Sequence, residues 1–195
     1  MKKLYTFFML TGLILLCSGR AMAQSVTIDD ITYTLYGDSV HVTKFDSNSF
    51  AETVEVLSKV TIAEKTYPVK KIESLAFEGS YLKSIFISDG IMEIGARVFE
   101  NCSMLTDIRI PNSVVSIGQG AFGGCSSLKS ITLPENMNII DFNLFFNCIS
   151  LTTISIPKSI TLIDDQAFCN CSALTSMIIP NEVTSIGERA FQGCI

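Results

Sequence analysis

Leu82, Leu105, Leu128, Leu151 and Leu174 each stand 23 residues after the one before. A strict period of this length is the mark of a stacked repeat, because one such unit is too small to bury its own apolar face and a row of them is not. Every residue inside the period therefore has an architectural reading before it has a chemical one.

Around each leucine runs a short extended pattern: LKSIFIS, LTDIRIP, LKSITLP, LTTISIP and LTSMIIP. Large apolar residues hold its first, fourth and sixth positions, and the last two share one face of a strand because strand side chains alternate. Pro111, Pro134, Pro157 and Pro180 close four of these strands by removing a ladder donor, and Ser88 replaces proline in the first.

A second extended segment then ends in Ile94, Ile117, Ile140, Ile163 or Ile186, followed by Gly95, Gly118, Asp141, Asp164 or Gly187. Glycine and aspartate accept turn conformations, so a chain reversal is expected here. Next come Phe99, Phe122, Phe145, Phe168 and Phe191, and three residues later Cys102, Cys125, Cys148, Cys171 and Cys194. That spacing places both side chains on one side of a short helical turn, directed inward. Asn or Gly before each cysteine (Asn101, Gly124, Asn147, Asn170, Gly193) suits a left-handed corner into the next strand.

The pattern L-x-x-I-x-I-P-x-x-V-x-x-I-G-x-x-A-F-x-x-C resembles the leucine-rich repeats of the treponemal type found in BspA-like bacterial surface proteins, over roughly Lys71 to Ile195. The expected fold class is an α/β repeat, mostly β: a solenoid of 23-residue coils with a parallel strand ladder. The resemblance implies a right-handed coil with that ladder on the concave side. The residue pattern alone also accepts a parallel β-helix.

Three regions follow from the same reading. Residues 1–23 have the form of a secretory signal peptide, with Lys2 and Lys3, an apolar run from Phe7 to Cys17 and Ala21-Met22-Ala23 before Gln24. A lipid anchor on Cys17 is the alternative, disfavoured because Cys17 follows Leu15-Leu16. Residues 24–70 form an N-terminal β cap, whose alternating residues on either side of Gly37-Asp38 read as a hairpin. Residues 71–195 are the repeats, the first irregular and without its cysteine, the last unfinished two residues short of the leucine expected at 197. That ending suggests a truncated relative, or an edge covered by a partner or a second copy.

The formal charge is -5, and losing residues 1–23 removes three bases and no acid, which takes it to -8. Such a chain lacks the basic footprint that phosphate neutralisation requires, so nucleic acid is not an expected partner. Neither is a transmembrane helix, because the run from 7 to 17 is too short to span a bilayer.

Six cysteines in residues 24–195 invite a disulfide framework, but five occupy one inward repeat position and read as free, buried thiols. Cys169 falls outside that position and is expected to face outward as an exposed thiol. Cys169-x-Cys171 has neither zinc spacing nor partners, and the single histidine, His41, lies far away in the cap. No catalytic pair, metal site or cofactor motif emerges. The carboxylates, including Asp164-Asp165, read as turn and surface groups. Asp38-Ser39-Val40 resembles a short bacterial O-glycosylation acceptor, which marks Ser39 as a candidate glycan site.

The informative surface is the outward side of the strands. Its third-position row is Ser84, Asp107, Ser130, Thr153 and Ser176, and its fifth-position row is Phe86, Arg109, Thr132, Ser155 and Ile178. Serine and threonine need no function on a solvated strand, whereas Phe86, Arg109 and Ile178 have the character of binding anchors. The candidate partner-binding set is therefore Phe86, Asp107, Arg109, Thr132, Ser155 and Ile178.

The expected function is that of an exported, non-enzymatic binding protein, secreted or at the cell surface, with a periplasmic or lipid-anchored location as the alternative. The family resemblance implies adhesion to a protein or glycoprotein of the host extracellular matrix or to other bacterial surfaces. The alternative is an envelope scaffold assembling through its C-terminal edge.

Overall fold

A computed structural model describes residues 24–195, so the signal-peptide reading of 1–23 lies outside the described residues. Three hairpin strands come first among the described residues, β1 (Ser25–Ile28), β2 (Ile31–Tyr36) and β3 (Ser39–Phe45). β1 and β2 turn through Asp29 and Asp30, both at positive φ, while β2 and β3 meet at the expected Gly37-Asp38 turn with Gly37 at φ 61°. β4 (Thr53–Val56), β5 (Lys59–Ile62) and β6 (Lys65–Ile72) follow, with β5 and β6 joined through Ala63 and Glu64 at φ 48° and 67°.

From there each coil supplies one longer and one shorter strand, except the last, which supplies only a shorter one. The longer ones are β7 (Ser84–Ile87), β9 (Asp107–Arg109), β11 (Ser130–Thr132) and β13 (Thr153–Ser155). The shorter ones are β8 (Glu93–Ile94), β10 (Ser116–Ile117), β12 (Ile139–Ile140), β14 (Leu162–Ile163) and β15 (Ser185–Ile186). Both kinds stack in parallel at the repeat period: Ser130 opposes Thr153, and Ile140 opposes Ile163. The N-terminal strands join the same ladders, since β4 pairs β7 and β3 pairs β6, which pairs β8. One sheet thus runs β1-β2-β3-β6-β8-β10 and another β4-β7-β9.

Both ladders lapse at one step. β9 and β11 belong to successive coils but to separate sheets, and so do β10 and β12. The stack crosses this seam on its third side, where Gly120, Phe122 and Gly124 donate their N–H groups to the carbonyls of Phe142, Leu144 and Phe146.

That third side is no helix, and no helix occurs among the described residues. The Phe-x-x-Cys segment is a non-helical turn whose alternate N–H groups point at the next coil, so they cannot close a helical ring. Two positive-φ residues bracket it in every coil: Leu75 and Gly79, Arg97 and Asn101, Gly120 and Gly124, Asn143 and Asn147, Gln166 and Asn170, Arg189 and Gly193. The second of each pair from Asn101 onward is the corner expected from sequence; the first was not apparent there.

The glycines after the isoleucines serve a different purpose from the chain reversal expected of them. Gly95, Gly118 and Gly187 are absent from the positive-φ set. A Cβ on Gly118 would instead lie 2.7 Å from the backbone nitrogen of Ala96, and one on Gly95 2.6 Å from that of Ser74. They are glycine because consecutive coils approach closely at this position.

Inside, the repeat positions become rows. Phe45, Phe77, Phe99, Phe122, Phe145, Phe168 and Phe191 form a continuous stack with ring centroids 5.3–5.5 Å apart. Such offset pairs contribute about 0.5–1.5 kcal/mol each beyond their burial. Beside them lies the cysteine row, free and without disulfides. Each thiol donates to the carbonyl of the phenylalanine one coil earlier: Cys125 Sγ to Phe99 O at 3.2 Å, Cys148 to Phe122 and Cys171 to Phe145 at 3.1 Å. In the first coil Ser80, buried, takes the cysteine's place with Oγ 3.3 Å from Cys102 Sγ.

Candidate binding face

Strand alternation turns the third and fifth positions of each repeat pattern away from the core. Ile85, Ile108 and Ile131 are buried, while Phe86, Arg109 and Thr132 beside them are exposed. The ladder extends the two outward rows by one strand that sequence spacing did not reach. Thr53 opposes Ser84 and Glu55 opposes Phe86, although 31 residues separate each pair in place of the regular 23. The fifth-position row therefore reads Glu55, Phe86, Arg109, then Thr132 and Ser155 across the seam.

Two shallow grooves lie along this row. The first is lined by Glu55, Phe86, Ser88, Asp89, Arg109 and Pro111. The second, at the seam between β9 and β11, is lined by Asp89, Arg109, Pro111, Asn112 and Thr132. Phe86 is 41 % exposed, so neighbouring strands shade the ring without covering it. Glu55 Oε1 accepts a hydrogen bond from Ser88 Oγ at 3.1 Å, and Asp107 Oδ2 accepts one from Ser84 Oγ at 3.3 Å. Arg109 belongs to none of the ion pairs found among the described residues, whereas Lys71, Lys83 and Arg97 are each bound to glutamates. Its side chain is exposed on the strand face.

Three of the six candidate residues, Phe86, Arg109 and Thr132, line these two grooves, while Asp107 stands in the neighbouring outward row opposite Ser84. Ser155 continues the row one strand beyond. Ile178 is 86 % exposed and stands apart, over a groove formed by Thr153–Ile156 and Ser176–Glu182, and its own segment joins no strand. Ser39 begins β3 beside the hairpin turn.

Cys169 requires correction. It is buried at 6 % exposure, not an exposed thiol. It occupies the repeat row Glu100, Gly123, Phe146, Cys169, Gln192, one position beyond the inward phenylalanine. His41 is structural in its surroundings: Nδ1 lies 2.6 Å from Glu73 Oε1 and the ring stacks on Tyr36 at 4.6 Å. The Asp164-Asp165 pair serves turns, with Asp164 Oδ1 accepting from Asp165 N and Asp165 Oδ1 from Glu188 N, both at 2.7 Å. Burial raises the thiols of Cys125 and Cys148 well above the usual range and that of Cys171 to about 12, so these three are poor nucleophiles near neutral pH.

This architecture and its repeat chemistry define a leucine-rich-repeat solenoid. The chain belongs to the BspA type leucine rich repeat family, whose model matches residues 24–114, 43–173 and 93–195 in six copies, and the parallel β-helix is thereby set aside. A leucine rich cell surface protein from Faecalibacterium prausnitzii is 29% identical with a TM-score of 0.67, over 91% of this chain and 54% of its own. A leucine-rich repeat protein from Bacteroides ovatus is 28% identical with a TM-score of 0.53, over 83% of this chain and 55% of its own. A T. pallidum leucine-rich repeat protein shares the fold at 23% identity and a TM-score of 0.58, over 88% of this chain and 68% of its own. The chain thus spans about half the length of the first two of these proteins. No curated protein matches it. No helix among the described residues is long and apolar enough to cross a membrane.

Proposed function

We propose that the protein is a non-enzymatic binding module at the bacterial cell surface that adheres to another macromolecule through the outward face of its strand ladder. The observation that carries this reading is the adjacency of a half-exposed aromatic, Phe86, and an unpaired guanidinium, Arg109, on neighbouring strands of a rigid ladder. Aromatic and arginine side chains dominate binding energies at interfaces, and here both are presented on strands, which hold their geometry better than loops. Membership of the family supports the same reading, as does the description of the F. prausnitzii relative as a cell surface protein.

The test is retention of residues 24–195 on immobilised extracellular-matrix proteins and on bacterial cells, with and without Phe86→Ala and Arg109→Ala. Adhesion through this face requires a retained ligand whose binding falls at least tenfold in the double variant. Failure to retain any ligand, or retention indifferent to both substitutions, rejects it.

A second reading, assembly through the last coil, draws on the exposure of Ile178, Ile179 and Ile186 at 86, 39 and 49 %. Size-exclusion chromatography at rising concentration decides it, since a strictly monomeric profile eliminates assembly by that face.

A further inference from the structure

The two grooves on the strand face differ in chemical character and share a wall. In the first, Glu55 offers a carboxylate steadied by Ser88, with Asp89 nearby and the ring of Phe86 between them and Arg109. In the second, the Arg109 guanidinium stands with the Thr132 hydroxyl and the Asn112 side chain, and Asp89 reaches this groove as well. Along the ladder the order is acid, aromatic, base, on three consecutive strands. Strands in a sheet are about 4.8 Å apart, so Glu55 and Arg109 are separated by about 10 Å, a gap that the flexible side chains of two residues about 7 Å apart on one face of an extended segment, with one residue between them, can span.

Resting on the binding role proposed above, we infer that the partner presents an extended segment carrying one cation and one anion on either side of a small apolar residue. The cation lies over the Phe86 ring toward Glu55 and Asp89, where a ring face and carboxylates act together. The anion meets Arg109, whose planar fork of donors suits a carboxylate, with Thr132 beside it. Asp107 remains tied to Ser84 in the neighbouring row and lines neither groove. Beyond Arg109 the row is neutral, Thr132 then Ser155, so the recognition element ends there. The seam contributes by opening the second groove: where β9 and β11 do not pair, the neighbouring strands leave room beside Arg109.

The inference is tested with three capped five-residue peptides, displayed at high density on a biosensor surface, with a central leucine flanked by lysine and glutamate, by two lysines, or by two glutamates. Residues 24–195 are expected to prefer the mixed peptide by about two- to fivefold over either same-sign peptide, the range that exposed ion pairs supply. Arg109→Glu should move the preference to the double-lysine peptide, and Glu55→Lys to the double-glutamate peptide. Phe86→Ala should weaken all three. Preference of the unaltered protein for the double-lysine peptide would mean that the overall negative charge governs binding, and would overturn the inference. So would a preference unmoved by the two charge substitutions, or no binding of any peptide. If matrix or cell retention is lost with Phe86→Ala while the charge substitutions have no effect, the binding role stands and only the dipolar partner falls.

Discussion

The position after each repeat isoleucine shows how one residue type can be right for an unexpected reason. Gly118 sits where a Cβ would come within 2.7 Å of the Ala96 nitrogen, and backbone cannot yield as a flexible side chain can. Asp141 and Asp164 nevertheless occupy the same repeat position, and there the carboxylate repays part of the crowding by accepting the next residue's N–H at 2.7 Å. Gly118→Ala is therefore expected to destabilise by about 2 kcal/mol, the usual scale of overpacking. Gly118→Asp, though larger, should cost about 1 kcal/mol less, because it adds a charge-assisted hydrogen bond. Urea unfolding of the two variants checks the order, and equal or inverted losses would mean that crowding is not what selects glycine here. Cys169 shows the opposite limit: its position outside the inward row suggested exposure, but it is buried, and burial depends on the adjoining coils, which one repeat read alone does not convey.

At the scale of elements, the 2- and 23-residue periods made the parallel strands legible, because hydrophobic alternation and proline stops act locally. The Gly37-Asp38 hairpin was equally plain, since glycine at that turn is a local signal. The β5–β6 hairpin was not, because Ala63 and Glu64 adopt the same left-handed turn without the residues that favour it. Ala63→Asn with Glu64→Gly should raise stability by about 1–2 kcal/mol, since each non-glycine residue at positive φ costs about that much and glycine gives part of the gain back as chain entropy; thermal unfolding measures it. The seam was also hidden, because the repeat continues through it without a gap in sequence. It has a direct consequence for backbone exchange: β9 and β11 are each paired on one side only, to β7 and to β13, while β7 is paired on both sides, to β4 and to β9. Amides of Asp107–Arg109 and Ser130–Thr132 should exchange faster than those of Ser84–Ile87. Equal protection across the three strands would show that the seam is closed in solution.

For the whole molecule, the candidate face was legible as rows, but its decisive member Glu55 was not. It enters through a cap strand spaced 31 residues from its ladder partner, so no fixed period points to it. The interior rows have a collective property of their own. Burial holds Cys125 and Cys148 well above the ordinary thiol value of 9.0, and raises Cys171 to about 12 and the Tyr33 hydroxyl from 10.0 to about 12. An unfolded chain gives up these protons from about pH 9 upward, while the folded chain still holds them. The unfolded state then binds fewer protons than the native state, so stability must decline as pH rises, with the loss beginning near pH 9 and absent below pH 8. Because the thiols lie in one stacked row and each donates its proton to a phenylalanine carbonyl of the preceding coil, ionising one removes a hydrogen bond and charges the interior beside the next. The decline should therefore be cooperative over the solenoid and should lessen in a Cys125→Ser, Cys148→Ser variant. Serine does not ionise in this range, and Ser80 already fills the same position in the first coil. Denaturant unfolding between pH 7 and 10 measures it, and an alkaline slope identical in the double variant would place the loss elsewhere than in the cysteine row.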